Sequence, residues 1–92
     1  MNDLISIITP SYNSANYLED CISSVLKQTY SNWEMLIIDD ASDDKSQSII
    51  NRYASQEKKI ISILLDNNVG SAAARNLAID KSNGRYIAFL DS

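Results

Sequence analysis

Four aspartates, Asp39, Asp40, Asp66 and Asp91, stand at the ends of apolar runs. In comparable places lie Tyr12, the amides Asn13, Asn67 and Asn68, and the cation Arg75. Carboxylates gathered at one edge do two things well. They hold a hard divalent cation through oxygen, and they accept hydrogen bonds from ribose hydroxyls or a base N–H. An exposed tyrosine can stack on a base. Each residue also has an ordinary explanation. Asp and Asn occur at strand ends and helix N-caps for local reasons. A loop tyrosine can pack on its own domain, and an arginine on a helix is usually solvated. The chemistry therefore depends on whether the fold brings them together.

Four stretches read as strands: residues 4–9 (LISIIT), 33–39 (WEMLIID), 60–66 (IISILLD) and 86–91 (YIAFLD). They are dense in Ile, Leu and aromatics with little polar alternation, the pattern of strands buried on both faces in a parallel sheet. Between them run helical patterns. In NYLEDCISSVLKQ, residues Tyr17, Leu18, Cys21, Ile22, Val25 and Leu26 form one stripe, and Asn16 with Glu19 resembles a capping box. A second helix, from about residue 44, places Ile49, Ile50, Tyr53 and Ala54 on one face with Asp43 or Asp44 as N-cap. A third, from about residue 71, turns Ala73, Ala74, Leu77 and Ala78 to the sheet. SNGR at 82–85 is a turn, with Gly84 expected to be its left-handed residue. The order β-α-β-α-β-α-β, with right-handed crossovers, predicts an α/β fold: a doubly wound, mostly parallel open sheet. In such sheets ligands sit beyond the carboxyl ends of the strands, where the residues named above cluster.

Composition excludes several functions. The net charge of −4 argues against a nucleic-acid surface. One cysteine, Cys21, excludes an internal disulfide and a cysteine zinc site, and the absence of histidine excludes His-based triads and His metal ligands. No apolar run approaches the roughly 18–20 residues of a membrane span. The start, MNDL, lacks the pattern of a signal peptide, so a cytoplasmic protein is the simplest expectation. With glycines only at positions 70 and 84, neither G-x-G-x-x-G nor a P-loop can form, and Pro10 stands where a dinucleotide fold would place its first glycine. A diphosphate would need a metal to neutralise it, a task suited to Asp91.

The segments ISIITPSYNSANYLEDCISSVLKQTYSNWEMLIIDDASDD, NNVGSAAARN and GRYIAFLDS, in that order, resemble the N-terminal half of a family-2 glycosyltransferase with the GT-A fold. The resemblance covers the chain from about Leu4. It implies an inverting enzyme that transfers a sugar from a nucleotide donor, often a UDP-sugar, to a saccharide or lipid-linked acceptor. It implies that Pro10 and Tyr12 flank the uracil, that Asp40 accepts the base N–H, and that Arg75 lies near the base and diphosphate. Asp91 resembles the first carboxylate of the D-x-D motif, touching the ribose and the shell of a Mn²⁺ or Mg²⁺. Residues 1–92 are then expected to be the donor-binding part, cut within that motif. The catalytic base and the acceptor site are expected beyond Ser92, and the 92 residues alone are expected to be inactive. A peripheral position at the inner membrane face stays open through that further part. The last strand, an apolar edge with unpaired backbone groups, is expected to favour self-association.

Other readings fit less well. A phospho-acceptor receiver domain carries its aspartate pair after the first strand; here it follows the second. A sugar nucleotidyltransferase would want a glycine-rich, basic loop where TPSYNS stands. A non-catalytic binding module remains as the alternative from another class.

Overall fold

The computed structural model describes residues 3–92. The elements run β1 (Ile5–Ser11), α1 (Ala15–Lys27), β2 (Trp33–Asp39), α2 (Ser46–Gln56), β3 (Ile60–Leu64), α3 (Ser71–Lys81) and β4 (Tyr86–Phe89). The strands form one four-stranded sheet in the order β3-β2-β1-β4. Every pairing is parallel, with Ile5 opposite both Trp33 and Tyr86, and Met35 opposite Ile60. The expected α/β architecture is present.

Side chains on β2 alternate between two cores, because successive residues of a strand point to opposite faces. Met35 and Ile37 pack with Leu18, Ile22 and Val25 of α1 and Ile50 of α2. Leu36 and Ile38 pack with Ile8 and with Ala74 and Ala78 of α3. Helices therefore cover both faces. β2 is the strand that the apolar pattern describes best, with all seven residues buried. The edge strands are different. β3 is half-buried, and all four residues of β4 are exposed.

Several local expectations are corrected. β3 and β4 end two residues early and β1 continues to Ser11. Tyr17 and Leu26, expected on the buried stripe of α1, are 65% and 41% exposed. They flank the contact row of Leu18, Ile22 and Val25 without joining it. The capping box at Asn16 and Glu19 does not form; the N-cap is Ser14, two residues earlier, and Glu19 pairs with Arg52 of α2. α2 starts at Ser46, and Asp44 caps it from outside. One oxygen of Asp44 accepts the Ser46 N–H (2.8 Å) and the other the Ala15 N–H at the head of α1 (3.2 Å). On α3, small side chains let the helix sit close to β1 and β2. Ala74 and Ala78 are buried against the sheet and Ile79 packs beside them, while Ala73 and Leu77 stay exposed.

Gly84 does different work from that expected. Gly84 is not left-handed. A Cβ there would lie 2.4 Å from Ser6 Oγ, 2.6 Å from Ser6 N and 2.9 Å from the Leu4 carbonyl, so this residue lets the turn press against β1. Its N–H donates to Ser6 Oγ at 2.8 Å. The left-handed glycine is Gly70, with φ of 92° at the entry to α3. Among the described residues no helix is long and apolar enough to cross a membrane.

Candidate functional site

The sheet reverses direction of winding at β1, which joins β2 on one side and β4 on the other. A cavity of about 380 Å³ opens at the carboxyl ends of β1 and β2, under the head of α3. Pro10, Ser11 and Tyr12 form one wall, Asp40 and Asn68 another, and Gly70, Ser71 and Ala74 close it from α3. Ligands in open parallel sheets bind in this position.

Tyr12 follows β1 directly, lines the cavity and is 53% exposed. Its loop is locked by Asn13, which adopts φ of 48°, gives its N–H to Ser42 Oγ (2.8 Å) and accepts the Asp43 N–H (3.0 Å). Asn tolerates that left-handed geometry better than most residues.

The two adjacent aspartates do separate jobs. Asp39 is fully buried on the α1/α2 side. Its carboxylate accepts the Ser11 and Ser42 hydroxyls, the Ser42 N–H and the Gln47 side-chain amide, so it pins the loop after β2. Asp40, one residue on, turns to the cavity. Its oxygens accept the Val69 N–H (2.7 Å) and the Gly70 N–H (2.9 Å), and its carbonyl accepts the Asn68 side chain (3.1 Å). A carboxylate offers about four lone-pair positions. The two amides use two of them, and Asp40 lines the cavity with the other two uncommitted to backbone N–H groups.

Of the expected site residues, the fold brings Pro10, Tyr12 and Asp40 to one cavity and leaves Arg75 and Asp91 beside it. Arg75, on α3, holds its guanidinium over the Phe89 ring of β4, 5.4 Å from the centroid. Its Nε is buried without a hydrogen-bond partner. Asp91 is exposed, and its carbonyl accepts the Cys21 thiol at 3.7 Å. Burial first, and the Asp91 charge second, push that thiol above its ordinary range. Of the other strand-end residues, Asn68 lines the cavity, while Asp66 and Asn67 are exposed outside it. Sequence reasoning passed over Ser11, Gly70, Ser71 and Ala74. Gly70 and Ser71 carried a usable signal, a glycine and a hydroxyl at the strand-to-helix junction after β3.

Among the described residues no group of three or more His, Cys, Asp or Glu could hold a metal ion. Asp91 alone offers one carboxylate. That suits Mg²⁺ or Mn²⁺ bound mainly by water and substrate phosphates, and does not make a protein cage.

Comparison with known proteins agrees with this geometry. The family model described as Glycosyl transferase family 2 matches residues 6–92. The glycosyltransferase TuaG of Bacillus subtilis (strain 168) is 47% identical over 89 residues, which cover 97% of this chain and 35% of that protein. The Escherichia coli UDP-Glc:alpha-D-GlcNAc-diphosphoundecaprenol beta-1,3-glucosyltransferase WfgD is 47% identical over 91 residues, covering 97% and 34%. Among solved structures, S. aureus TarS 1-349 in complex with UDP superposes with a TM-score of 0.88 at 30% identity, over 96% of this chain and 27% of that one. The mannosyltransferase PcManGT from Pyrobaculum calidifontis, in complex with GDP-Man and Mn²⁺, superposes with a TM-score of 0.87 at 25% identity, over 95% and 26%. The chain thus spans about a third of the length of the two relatives. With a strand-end cavity in place and the family model matched from β1 to its last residue, the chain belongs to glycosyl transferase family 2.

Proposed function

We infer that this chain is the donor-binding part of an inverting glycosyltransferase that uses a nucleoside-diphosphate sugar, a UDP-sugar before others. The observation that carries this is the cavity between Tyr12 and Asp40. Its volume of about 380 Å³ lies near the low end of the roughly 300–1,000 Å³ range for ligand pockets. It suits a base with part of its ribose, and leaves diphosphate and sugar to extend past the sheet edge. Tyr12 stacks on the base, Pro10 supports the opposite edge, and a free lone pair of Asp40 accepts the base N–H. Arg75 and Asp91, beside the cavity, face the diphosphate as it leaves.

The relatives support this chemistry in their own names. WfgD uses UDP-Glc and a diphosphoundecaprenol acceptor, TarS has been solved with UDP, and PcManGT with GDP-Man and Mn²⁺. For this chain we read the acceptor as a saccharide or lipid-linked saccharide. A divalent cation, when bound at Asp91, supplies charge to the leaving diphosphate. A base within hydrogen-bond reach must take the acceptor's proton. We assign that base to the part of the relatives this chain does not span.

The test is calorimetric titration of the intact protein with UDP and with GDP, with and without Mn²⁺. UDP should bind more tightly than GDP, and Tyr12→Ala should weaken it. Equal binding by parent and Tyr12→Ala would place the base elsewhere.

A further inference from the structure

Two hydroxyls tie the tip of β4 to the cavity wall. Ser92 Oγ lies 2.9 Å from the Pro10 carbonyl and 2.9 Å from Ser14 Oγ. Ser14 Oγ in turn lies 3.3 Å from the Tyr12 carbonyl. The four oxygens form a row: Pro10 O, Ser92 Oγ, Ser14 Oγ, Tyr12 O. The row has three gaps. Carbonyls only accept, and each serine supplies one proton, so two gaps can be filled at once. Leaving the central gap without a proton would set two hydroxyl oxygens against each other at 2.9 Å. Both protons must therefore run the same way. The distances favour Ser14 donating to Ser92 and Ser92 donating to Pro10, with the longest gap, at Tyr12, left open.

The row is anchored from behind. Ser14 is 8% exposed, and its N–H donates to Ser46 Oγ at 2.9 Å. The Ser46 N–H then donates to Asp44. Ser92 is therefore held by the wall of the cavity on one side and by Ser14, at the head of α1, on the other, and Ser14 is in turn tied to the start of α2. The residue before it is Asp91, whose carbonyl is held by Cys21.

We propose that Ser92 is a positioning residue of the nucleotide site: its hydroxyl joins the strand tip carrying Asp91 to the Pro10–Tyr12 wall, so that the two sides of the donor site move as one. This rests on the reading of the cavity as the nucleotide site. A pull on the β4 tip by a bound diphosphate passes through Ser92 to the Pro10 carbonyl, and through Ser14 to the segment that carries Tyr12. Alanine at position 92 would keep the backbone path and remove the link.

The experiment compares Ser92→Ala, Ser92→Thr, Ser14→Ala, the double alanine variant and Tyr12→Ala in the intact protein. UDP affinity is read by calorimetry, and amide hydrogen exchange at Asn13 and Ser14 is read without ligand. Ser92→Ala should weaken UDP roughly three- to tenfold, the size of one lost hydrogen bond. It should speed exchange at both amides and leave the melting temperature near the parent's. Ser92→Thr, which keeps a hydroxyl, should restore both readouts. The double variant should be no weaker than the weaker single one, because both act on one row. Parental UDP binding by Ser92→Ala, alongside weak binding by Tyr12→Ala, would overturn the link and leave the site reading intact. So would failure of Ser92→Thr to restore, or additive losses. If Tyr12→Ala also binds as the parent does, the site reading falls, and exchange at Asn13 and Ser14 still decides whether Ser92 holds the wall. Should Ser14→Ala fail to fold, the pair at position 92 decides alone.

Discussion

Asp40, just past the carboxyl end of β2, accepts the backbone N–H of Gly70 at the head of α3 at a distance of 2.9 Å. The neighbouring Val69 N–H reaches the other oxygen at 2.7 Å. The carboxylate expected to read the base is thus also a structural clamp between two elements. Asp40→Asn turns one acceptor into a donor facing an N–H. We expect it to destabilise the fold by about 1–3 kcal/mol, the cost of leaving a buried donor unpaired, and to weaken UDP as well. Urea denaturation and calorimetry on the same variant check this. Loss of UDP binding with parental stability would mean that the clamp contributes nothing.

Tyr12 offers the cleaner probe, because its ring is half exposed and its loop is locked by Asn13 instead. Tyr12→Ala should cost about 1–3 kcal/mol of UDP binding, the usual value of a base–aromatic stack. Stability should change by no more than about 0.5 kcal/mol, as for most surface substitutions. Tyr12→Phe should bind as the parent does, since the ring and not the hydroxyl makes the stack.

Gly84→Ala should destabilise the fold by about 1–3 kcal/mol, the usual cost of overpacking. The added Cβ meets Ser6 Oγ at 2.4 Å, but also the Ser6 nitrogen at 2.6 Å and the Leu4 carbonyl at 2.9 Å. Adding Ser6→Ala should therefore not rescue it, because the backbone atoms remain. Denaturation midpoints of the single and double variants test this directly.

Acid should loosen the joint between α1 and α2. Hydrogen bonding by the Ser46 side chain, then by the Ser46 and Ala15 amides, holds the Asp44 carboxyl below its usual range despite an opposing effect of burial. A carboxyl depressed in the folded state stabilises above the unfolded value, and that contribution is lost as pH falls through the folded one. The window lies below about pH 4. Asp44 is open to solvent, so screening keeps the effect small. Melting temperature followed from pH 6 to pH 2 should fall more steeply for the parent than for Asp44→Asn.

Cys21 should react slowly with alkylating reagents at pH 8, because burial and Asp91 both raise its thiol above the ordinary range and the thiolate is the reactive form. Asp91→Asn should speed the reaction without bringing it to the rate of an unfolded control, since burial is the larger cause. No change in rate on Asp91→Asn would show that Asp91 exerts no charge effect on the thiol.

The sequence by itself determined the order of elements, the parallel sheet and the edge at which the cavity opens. The reason is that these follow from local patterning: apolar runs of strand length, helical stripes between them, and aspartates and amides at the strand ends. It also marked Pro10, Tyr12 and Asp40, because residues just past a strand stay near its tip whatever the rest of the chain does. The tertiary structure decided everything that required two distant segments to meet. Asp39 and Asp40 are adjacent and alike in sequence; burial against Ser42 and Gln47 made one structural, and the approach of Gly70 made the other a cavity wall. Gly84 looked like the left-handed turn residue because its local context resembles one, yet the left-handed role fell to Gly70, and Gly84 is required by a contact with Ser6, 78 residues away in the chain. The row from Pro10 through Ser92 and Ser14 to Tyr12 was likewise illegible, since serines carry no pattern of their own. A hydroxyl becomes part of a site only when folding sets its one proton between acceptors, and that is a property of distances, not of sequence.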